Sequence, residues 1–347
     1  MAETMRAARY VAGERKLELA EVPVPQPGPL EVLVEVEACG ICLSDVHLID
    51  GTIPPLIPVV IPGHESCGVI AATGEAVAGW KEGERVVLTA GRGCAVCDRC
   101  RSGHFDRCEA FELLGFHYDG AWAEYVAVPH YTLAAVPDGV PPEQAAILAD
   151  AVATPYAALI DRAALRPSES VGLWGIGGLG THAVQLARLA GAALVVAVDP
   201  FASARERALR VGADLAIDPT TSDTTTEVMR ATGGSGLDVA VDLVGANAVL
   251  KEAVSCLARG GRAVMVGLSM DPIKLGPSLL FGTRRTAVLG HLGYQKHHLD
   301  DLVRLLAAGR LDLSASISDV IALEDVADGV RRLATKEGDP VRIIVRP

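Results

Sequence analysis

The stretch SVGLWGIGGLGTHAVQLARLAG (170–191) constrains the fold more than any other. An apolar run (SVGLWG, 170–175) meets a glycine cluster, and a segment with helical spacing (THAVQLARLAG, 181–191) follows. GIGGLG (175–180) fits G-x-G-x-x-G, with Gly175, Gly177 and Gly180 at the fixed places and Gly178 between them. The motif is weak alone, but between a strand and a helix it marks a dinucleotide-binding turn. The first glycine allows the tight turn, the second lets the backbone approach a pyrophosphate, and the third lets helix and strand pack closely. The helix N-terminus then offers N–H groups and partial positive charge to the phosphates. Strand and helix patterns keep alternating downstream. ALVVAVD (193–199), DLAID (214–218), LDVAVDLVG (237–245), GRAVMVG (261–267) and TAVLGHL (286–292) complete six strand candidates. Such alternation predicts an α/β fold with a doubly wound parallel sheet.

Asp199 ends the second of these strands, 19 residues beyond Gly180. A carboxylate there bonds the ribose hydroxyls of NAD and repels the 2′-phosphate of NADP, so NAD is the expected cofactor. Arg205 lies close enough in sequence to weaken that expectation, because an arginine can receive a 2′-phosphate; a solvated helix residue is its favoured reading.

The first 150 residues have a different texture. Short apolar strands, EVLVEVEA (31–38), CGVIAATG (67–74) and ERVVLT (84–89), stand between Pro- and Gly-containing turns such as PVPQPGP (23–29). A chain of 347 residues favours two domains. The expected division is a β-rich first domain over 1–154 with a lobe at 91–109, a cofactor domain over 155–291, and a tail, 292–347, returning to the first. The net charge of −12 disfavours nucleic acid as a partner. A long uncharged apolar run, LAGAALVVAV (189–198), is about half the length of a membrane span, and the N-terminal stretch has no apolar leader-type core. No membrane association and a cytoplasmic location are expected. Eight cysteines in such a chain point to metal or inert core thiols rather than disulfides.

Four of them, Cys94, Cys97, Cys100 and Cys108, follow C-x2-C-x2-C-x7-C. Four thiolates within fifteen residues can close a tetrahedral zinc site with no open position, which makes it structural. Common iron–sulfur spacings differ. His104, inside the loop, is surplus. The segment CGICLSDVH (39–47) and the GHE of 63–65 add Cys42 and His64, each ambiguous alone.

Taken together and in order, GICLSDVH (40–47), GHE (63–65), the four-cysteine lobe, DGAWAEY (119–125), LADAVATPYAAL (148–159) and GIGGLG resemble the zinc-dependent medium-chain alcohol dehydrogenase family over essentially the whole chain. The resemblance implies a GroES-like catalytic domain beside the Rossmann cofactor domain. It implies two zinc ions per chain, the catalytic one held by Cys42, His64 and a third ligand four residues before Thr154. That position is Asp150, where many family members have cysteine; it is similar to the aspartate variant of bacterial and archaeal branches. Exchanging thiolate for carboxylate alters softness but not charge, so zinc stays the expected metal. Glu65 is implied as an exchangeable fourth ligand or a neighbour of the ligands. Ser44 would bond the alcohol oxygen and pass its proton by way of the nicotinamide ribose to His47, whose ordinary pKa near 6.5 suits an exit step. Asp45 would orient neighbours or cap a turn. Cys39, Cys67 and Cys256 read as core thiols.

The implied activity is reversible oxidation of a primary or secondary alcohol to an aldehyde or ketone, with hydride passing to NAD. Ala90, four residues before the lobe's first cysteine, would line a widened substrate pocket, with Trp122 and Ile53 as further candidate apolar walls, for each of which a plain core role fits as well. Arg342 matches a cofactor-phosphate contact, although an ordinary surface arginine fits nearly as well. A homo-oligomer is expected, a tetramer before a dimer, with TAVLGHL as a strand that could pair across a two-fold axis. Two other readings differ in class: a zinc-free quinone or enone reductase of the same superfamily, and a zinc-ribbon binding module fused to a nucleotide sensor. The ligand residues disfavour the first and the acidic charge the second.

Overall fold

The computed structural model describes residues 3–270 and 272–347. The chain forms two compact units. The first runs to Ala153 and resumes at Tyr294; the second is Thr154–Gly293.

The second unit holds a six-stranded sheet. In chain order its strands are Ser170–Trp174, Leu194–Val198, Leu215–Ile217, Leu237–Asp242, Leu257–Met265 and Ala287–Gly290. Their spatial order is 3-2-1-4-5-6, and every pairing is parallel. The sequence explains this arrangement. Val171, Leu173, Val195, Val196, Val198, Val239, Val241 and Val264 are all buried, as strands covered on both faces require. Each such side chain contributes about 1.5–3 kcal/mol by leaving water. Helices Gly178–Leu189, Ala202–Arg210, Thr224–Ala231, Asn247–Ser255 and Ser278–Arg284 connect them. The first begins at Gly178, three residues before the side-chain periodicity does, because glycines carry no apolar pattern to read. The strand order reverses between the first and fourth strands, which is where open α/β sheets bind ligands.

Below the sheet, Glu169 is an ionic anchor. Its carboxylate takes bonds from Arg262 at 2.7 and 3.0 Å and from the Arg166 N–H at 2.8 Å. Burial raises its pKa, but the Arg262 and Arg166 bonds prevail and bring it to about 2. A carboxylate depressed in the fold stabilises above its unfolded pKa, and this contribution disappears as pH falls through the folded value. Glu169→Gln should therefore cost at most about 3 kcal/mol near pH 7. The gap in melting temperature between wild type and variant should close between pH 5 and pH 2; a gap independent of pH would refute the anchor.

The first unit is built on the eleven-residue strand Glu31–Ile41. It lies in a mixed sheet with Glu65–Thr73, Arg85–Leu88, Leu133–Ala135, Tyr125–Pro129, Arg342–Arg346 and Ile317–Ala322. The C-terminal strand pairs antiparallel with its end, Ile343 opposite Ile41. Leu33, Ile41, Ile70, Leu88, Trp122, Leu133 and Ile343 fill the core. The register matters for function: Glu31–Ile41 runs antiparallel to Glu65–Thr73 with Gly40 opposite Glu65. Cys42 and His64, which flank the two paired ends, are thereby brought together. Among the described residues no helix is long and apolar enough to cross a membrane.

Candidate metal centre and cofactor turn

Three separate segments supply the first cluster. Cys42 precedes the helix Leu43–Ile49, His64 precedes the strand Glu65–Thr73, and Asp150 lies in the buried segment Leu148–Val152. Cys42 Sγ is 3.4 Å from Asp150 Oδ2, and His64 Nε2 is 3.6 Å from the same oxygen. Donors about 2.0–2.3 Å from a tetrahedral zinc stand about 3.3–3.8 Å apart, so these spacings fit the ion. Glu65 completes a group whose donor atoms all lie within 4.8 Å of one another.

The surroundings fix the donors. Asp45 is fully buried; its Oδ2 accepts from the Cys42 N–H at 2.8 Å, and its Oδ1 lies 3.3 Å from His64 Nδ1. A carboxylate behind a histidine sets the tautomer and ring orientation of a metal ligand. Phe116 holds the other side of the ring, edge-on at 5.7 Å. Burial disfavours a charged imidazole, but Asp45, Asp150 and Cys42 outweigh it and hold the His64 pKa well above its ordinary value. Burial pushes the Cys42 thiol up, with Arg342 opposing. Burial likewise pushes Glu65 up to about 8, against the pull of Arg342. Such a concentration of acidic groups away from water is costly without a cation among them.

Glu65 Oε1 is 3.0 Å from Arg342 Nη2, yet neither Glu65 oxygen accepts a hydrogen bond among the described residues. Two orphaned oxygens suit a group that can turn towards a metal. Gly40 makes room for this carboxylate, since a Cβ there would stand 2.3 Å from Glu65 Oε2. Arg342 is 2 % exposed, with Nη2 3.9 Å from Cys42 Sγ. The structure thus excludes an ordinary surface arginine.

Ser44 Oγ lies 3.8 Å from Cys42 Sγ in the first turn of Leu43–Ile49. His47 follows one turn later on the same helix face, exposed and 3.6 Å from Asp50 Oδ2. Of the pocket candidates, Ala90 is nearly buried and its N–H donates to Tyr294 Oη at 2.8 Å. Trp122 needs correction as an open wall. It is fully buried in the core, and a Cβ on Gly63 would meet its ring at 2.5 Å. Ile53 packs against the small cluster of Tyr10, Leu48, Val60 and Phe116. Cys39, Cys67 and Cys256 are buried thiols.

The four-cysteine lobe gathers Cys94, Cys97, Cys100 and Cys108. Cys94 and Cys100 sulfurs are 4.0 Å apart, Cys97 and Cys108 sulfurs 3.9 Å, close to the edges of a tetrahedron of Zn–S bonds about 2.3 Å long. Backbone N–H groups of Cys94, Cys97 and Cys100 point at the sulfurs of Cys108, Cys94 and Cys97. Bonds from Val96 and Cys97 N–H bring the Cys94 thiol down to about 6, towards the thiolate a metal needs. The donor set fits a structural zinc. Phe105 stacks on Tyr131, whose hydroxyl donates to Gly93 O at 2.7 Å, tying the lobe down.

In the second unit, Gly177 caps the helix Gly178–Leu189. A Cβ on Gly180 would stand 2.0 Å from the Gly175 carbonyl oxygen, so only glycine permits this turn. Asp199 Oδ2 accepts from the Ile176 N–H at 2.7 Å and Oδ1 from the Phe201 N–H at 2.8 Å. The carboxylate is thus fixed against the glycine turn. Arg205 bonds the Asp199 and Pro200 carbonyls at 2.8 Å each, and its Nη2 pairs with Asp218 at 3.0 Å. Asp45's link to His64, Phe116 and the Asp218 tether were not read from the sequence, because each depends on contacts between distant segments.

Residues 28–138 match the family described as "Alcohol dehydrogenase GroES-like domain", and residues 178–308 match "Zinc-binding dehydrogenase". An NAD-dependent alcohol dehydrogenase of Sulfurisphaera tokodaii is 33 % identical over 339 residues, covering 95 % of this chain and 96 % of its own. Among solved structures, the alcohol dehydrogenase TADH from Thermus sp. ATN1 superposes with a TM-score of 0.93 at 30 % identity, over 99 % of both chains. A protein from Sinorhizobium meliloti 1021, described as a zinc-binding dehydrogenase and solved bound to NADP, superposes with a TM-score of 0.90 at 30 % identity, over 100 % of both. With both domain types matched and full-length relatives above 30 % identity, the chain belongs to the zinc-dependent medium-chain alcohol dehydrogenase family.

Proposed function

We propose that this chain is an NAD-dependent alcohol dehydrogenase, oxidising a primary or secondary alcohol reversibly to an aldehyde or ketone. The observation that carries the reading is the convergence of Cys42 Sγ, at 3.4 Å, and His64 Nε2, at 3.6 Å, on Asp150 Oδ2 from three separate segments. These three residues would hold the catalytic zinc, with Glu65 as an exchangeable fourth donor, and the four cysteines would hold a second, structural ion. The catalytic ion would supply Lewis acidity to the alcohol hydroxyl, and bound NAD would supply the hydride acceptor.

The chain's own residues do the rest. Asp45 orients His64. Ser44, beside Cys42, would take the hydroxyl proton as it hands on its own, and His47, one turn on and exposed, would be the group that releases a proton to solvent. Gly175, Gly177, Gly178 and Gly180 cradle the pyrophosphate at a helix N-terminus, and Asp199 takes the ribose hydroxyls. Arg342, beside Glu65 and Cys42, steadies the anionic cluster, and its place as a cofactor-phosphate contact stays part of the proposal. Ala90, and Ile53 with it, are proposed to shape the substrate pocket; Trp122 supports it only from the core.

A homotetramer in the cytoplasm is the proposed state. The strand Ala287–Gly290 ends the sheet with one edge unpaired, and Leu279, Leu280 and Leu292 stand exposed in the same unit. The test is metal analysis together with initial rates of NAD reduction on primary, secondary and aromatic alcohols. Two zinc ions per chain and turnover with NAD are expected. Two zinc ions without turnover on any alcohol would move the reading to another substrate class. Absence of zinc with activity on a quinone or enone would select the reductase.

A further inference from the structure

We propose that Tyr294 is a positioning residue that holds Asp150 in the strained backbone conformation its carboxylate needs to meet Cys42 and His64; this rests on Asp150 being a metal ligand. Asp150 has φ 59° and ψ −67°, directly after Ala149 at φ −64° and ψ 131°. A positive φ is uncommon outside glycine, and short polar residues such as aspartate tolerate it best in the left-handed helical well, where ψ is positive. Asp150 is not in that well. Its angles are those of the γ-turn with positive φ, which is rare and strained. Such a conformation persists only where the surroundings over-determine it.

Tyr294 supplies that determination. It is the residue at which the chain re-enters the first unit. Its hydroxyl oxygen accepts from the Ala90 N–H at 2.8 Å and from the backbone N–H of Asp150. Both acceptor positions of the phenol oxygen are thus taken by main-chain donors. One belongs to the strand end that leads into the four-cysteine lobe, the other to the strained residue itself. A phenol with its ordinary pKa near 10 is protonated at neutral pH, so the oxygen serves as a neutral acceptor. A relaxed Asp150 backbone would turn the carboxylate away from the 3.4 Å and 3.6 Å spacings it now keeps.

The test is Tyr294→Phe in the full-length, zinc-loaded protein. This change keeps the ring and removes the acceptor. Transfer of zinc to a chromophoric chelator is followed in wild type, Tyr294→Phe and Asp150→Ala. The four-cysteine lobe is the internal control, since its four sulfurs form a separate donor set. Removing a group that orients a ligand typically weakens metal binding about 10–100-fold. One zinc ion of the two should therefore leave Tyr294→Phe at least about 10-fold more readily, while the lobe's ion leaves at the wild-type rate. Equal acceleration of both ions would mean general loosening and would overturn the proposal, as would unchanged release of both. If Asp150→Ala itself retains both ions, the ligand assignment fails first. If Asp150→Ala loses one and Tyr294→Phe behaves as wild type, only the role of Tyr294 fails.

Discussion

Asp150→Ala should leave one zinc ion per chain and lower turnover by about 10³-fold or more. A catalytic zinc needs three protein ligands, and this substitution leaves Cys42 and His64, with Glu65 engaged by Arg342 at 3.0 Å. The ion's Lewis acidity is worth several kcal/mol at the transition state, and about 4 kcal/mol corresponds to about 10³ in rate. The lobe's zinc should stay, because Asp150 is no part of the lobe. Asp150→Cys should behave differently. It restores an anionic donor at the same place and should keep two ions and much of the activity. Metal analysis and initial rates on the two variants give the answer. Two ions and wild-type turnover in Asp150→Ala would remove Asp150 from the site altogether.

The contrast between Asp150 and the other proposed ligands shows what a sequence can carry. The four lobe cysteines lie within fifteen residues, so their spacing alone announces a metal. The glycine turn is likewise local, and its strand and helix neighbours complete the signal. Cys42 and His64 are 22 residues apart and acquire meaning only when antiparallel pairing sets Gly40 opposite Glu65. Asp150 is 108 positions from Cys42. Nothing in LADAV marks the aspartate as special, because the γ-turn that aims its carboxylate is imposed by tertiary contacts. Resemblance to a family, not spacing, is what pointed to it.

Burial was the least legible property. Arg342 sits in VRIIV, where a surface arginine reads naturally, yet it is enclosed against Glu65 and Cys42. Trp122 reads equally well as a pocket wall or a core residue, and packing against Gly63 decides for the core. Tyr294 has no motif at all. In each case the side chain's role is set by what lies across a sheet or turn, a contact that one-dimensional periodicity does not encode.

Asp199→Asn should weaken NAD binding about 10-fold or more and reduce the discrimination against NADP, without making the protein prefer NADP. The loss follows from exchanging a charged acceptor of the ribose hydroxyls for a neutral amide, since hydrogen bonds to charged groups are worth about 1.5–3 kcal/mol. The relief follows from removing a negative charge that a 2′-phosphate would face. What limits the gain is Arg205. It lies near Asp199 and could receive the phosphate, but it is held by two carbonyls and by Asp218, which itself is fixed by Thr220 N–H and hydroxyl bonds at 2.9 and 2.6 Å. Adding Asp218→Asn should free the guanidinium and raise NADP affinity further, by no more than about 5-fold, because a partly exposed ion pair is worth about 1 kcal/mol or less. Fluorescence titration of both cofactors into wild type, Asp199→Asn and the double variant measures each step. A wild-type protein that binds NADP more tightly than NAD would overturn the role of Asp199. Equal NADP affinity in the single and double variants would show that the Arg205–Asp218 pair takes no part in the choice.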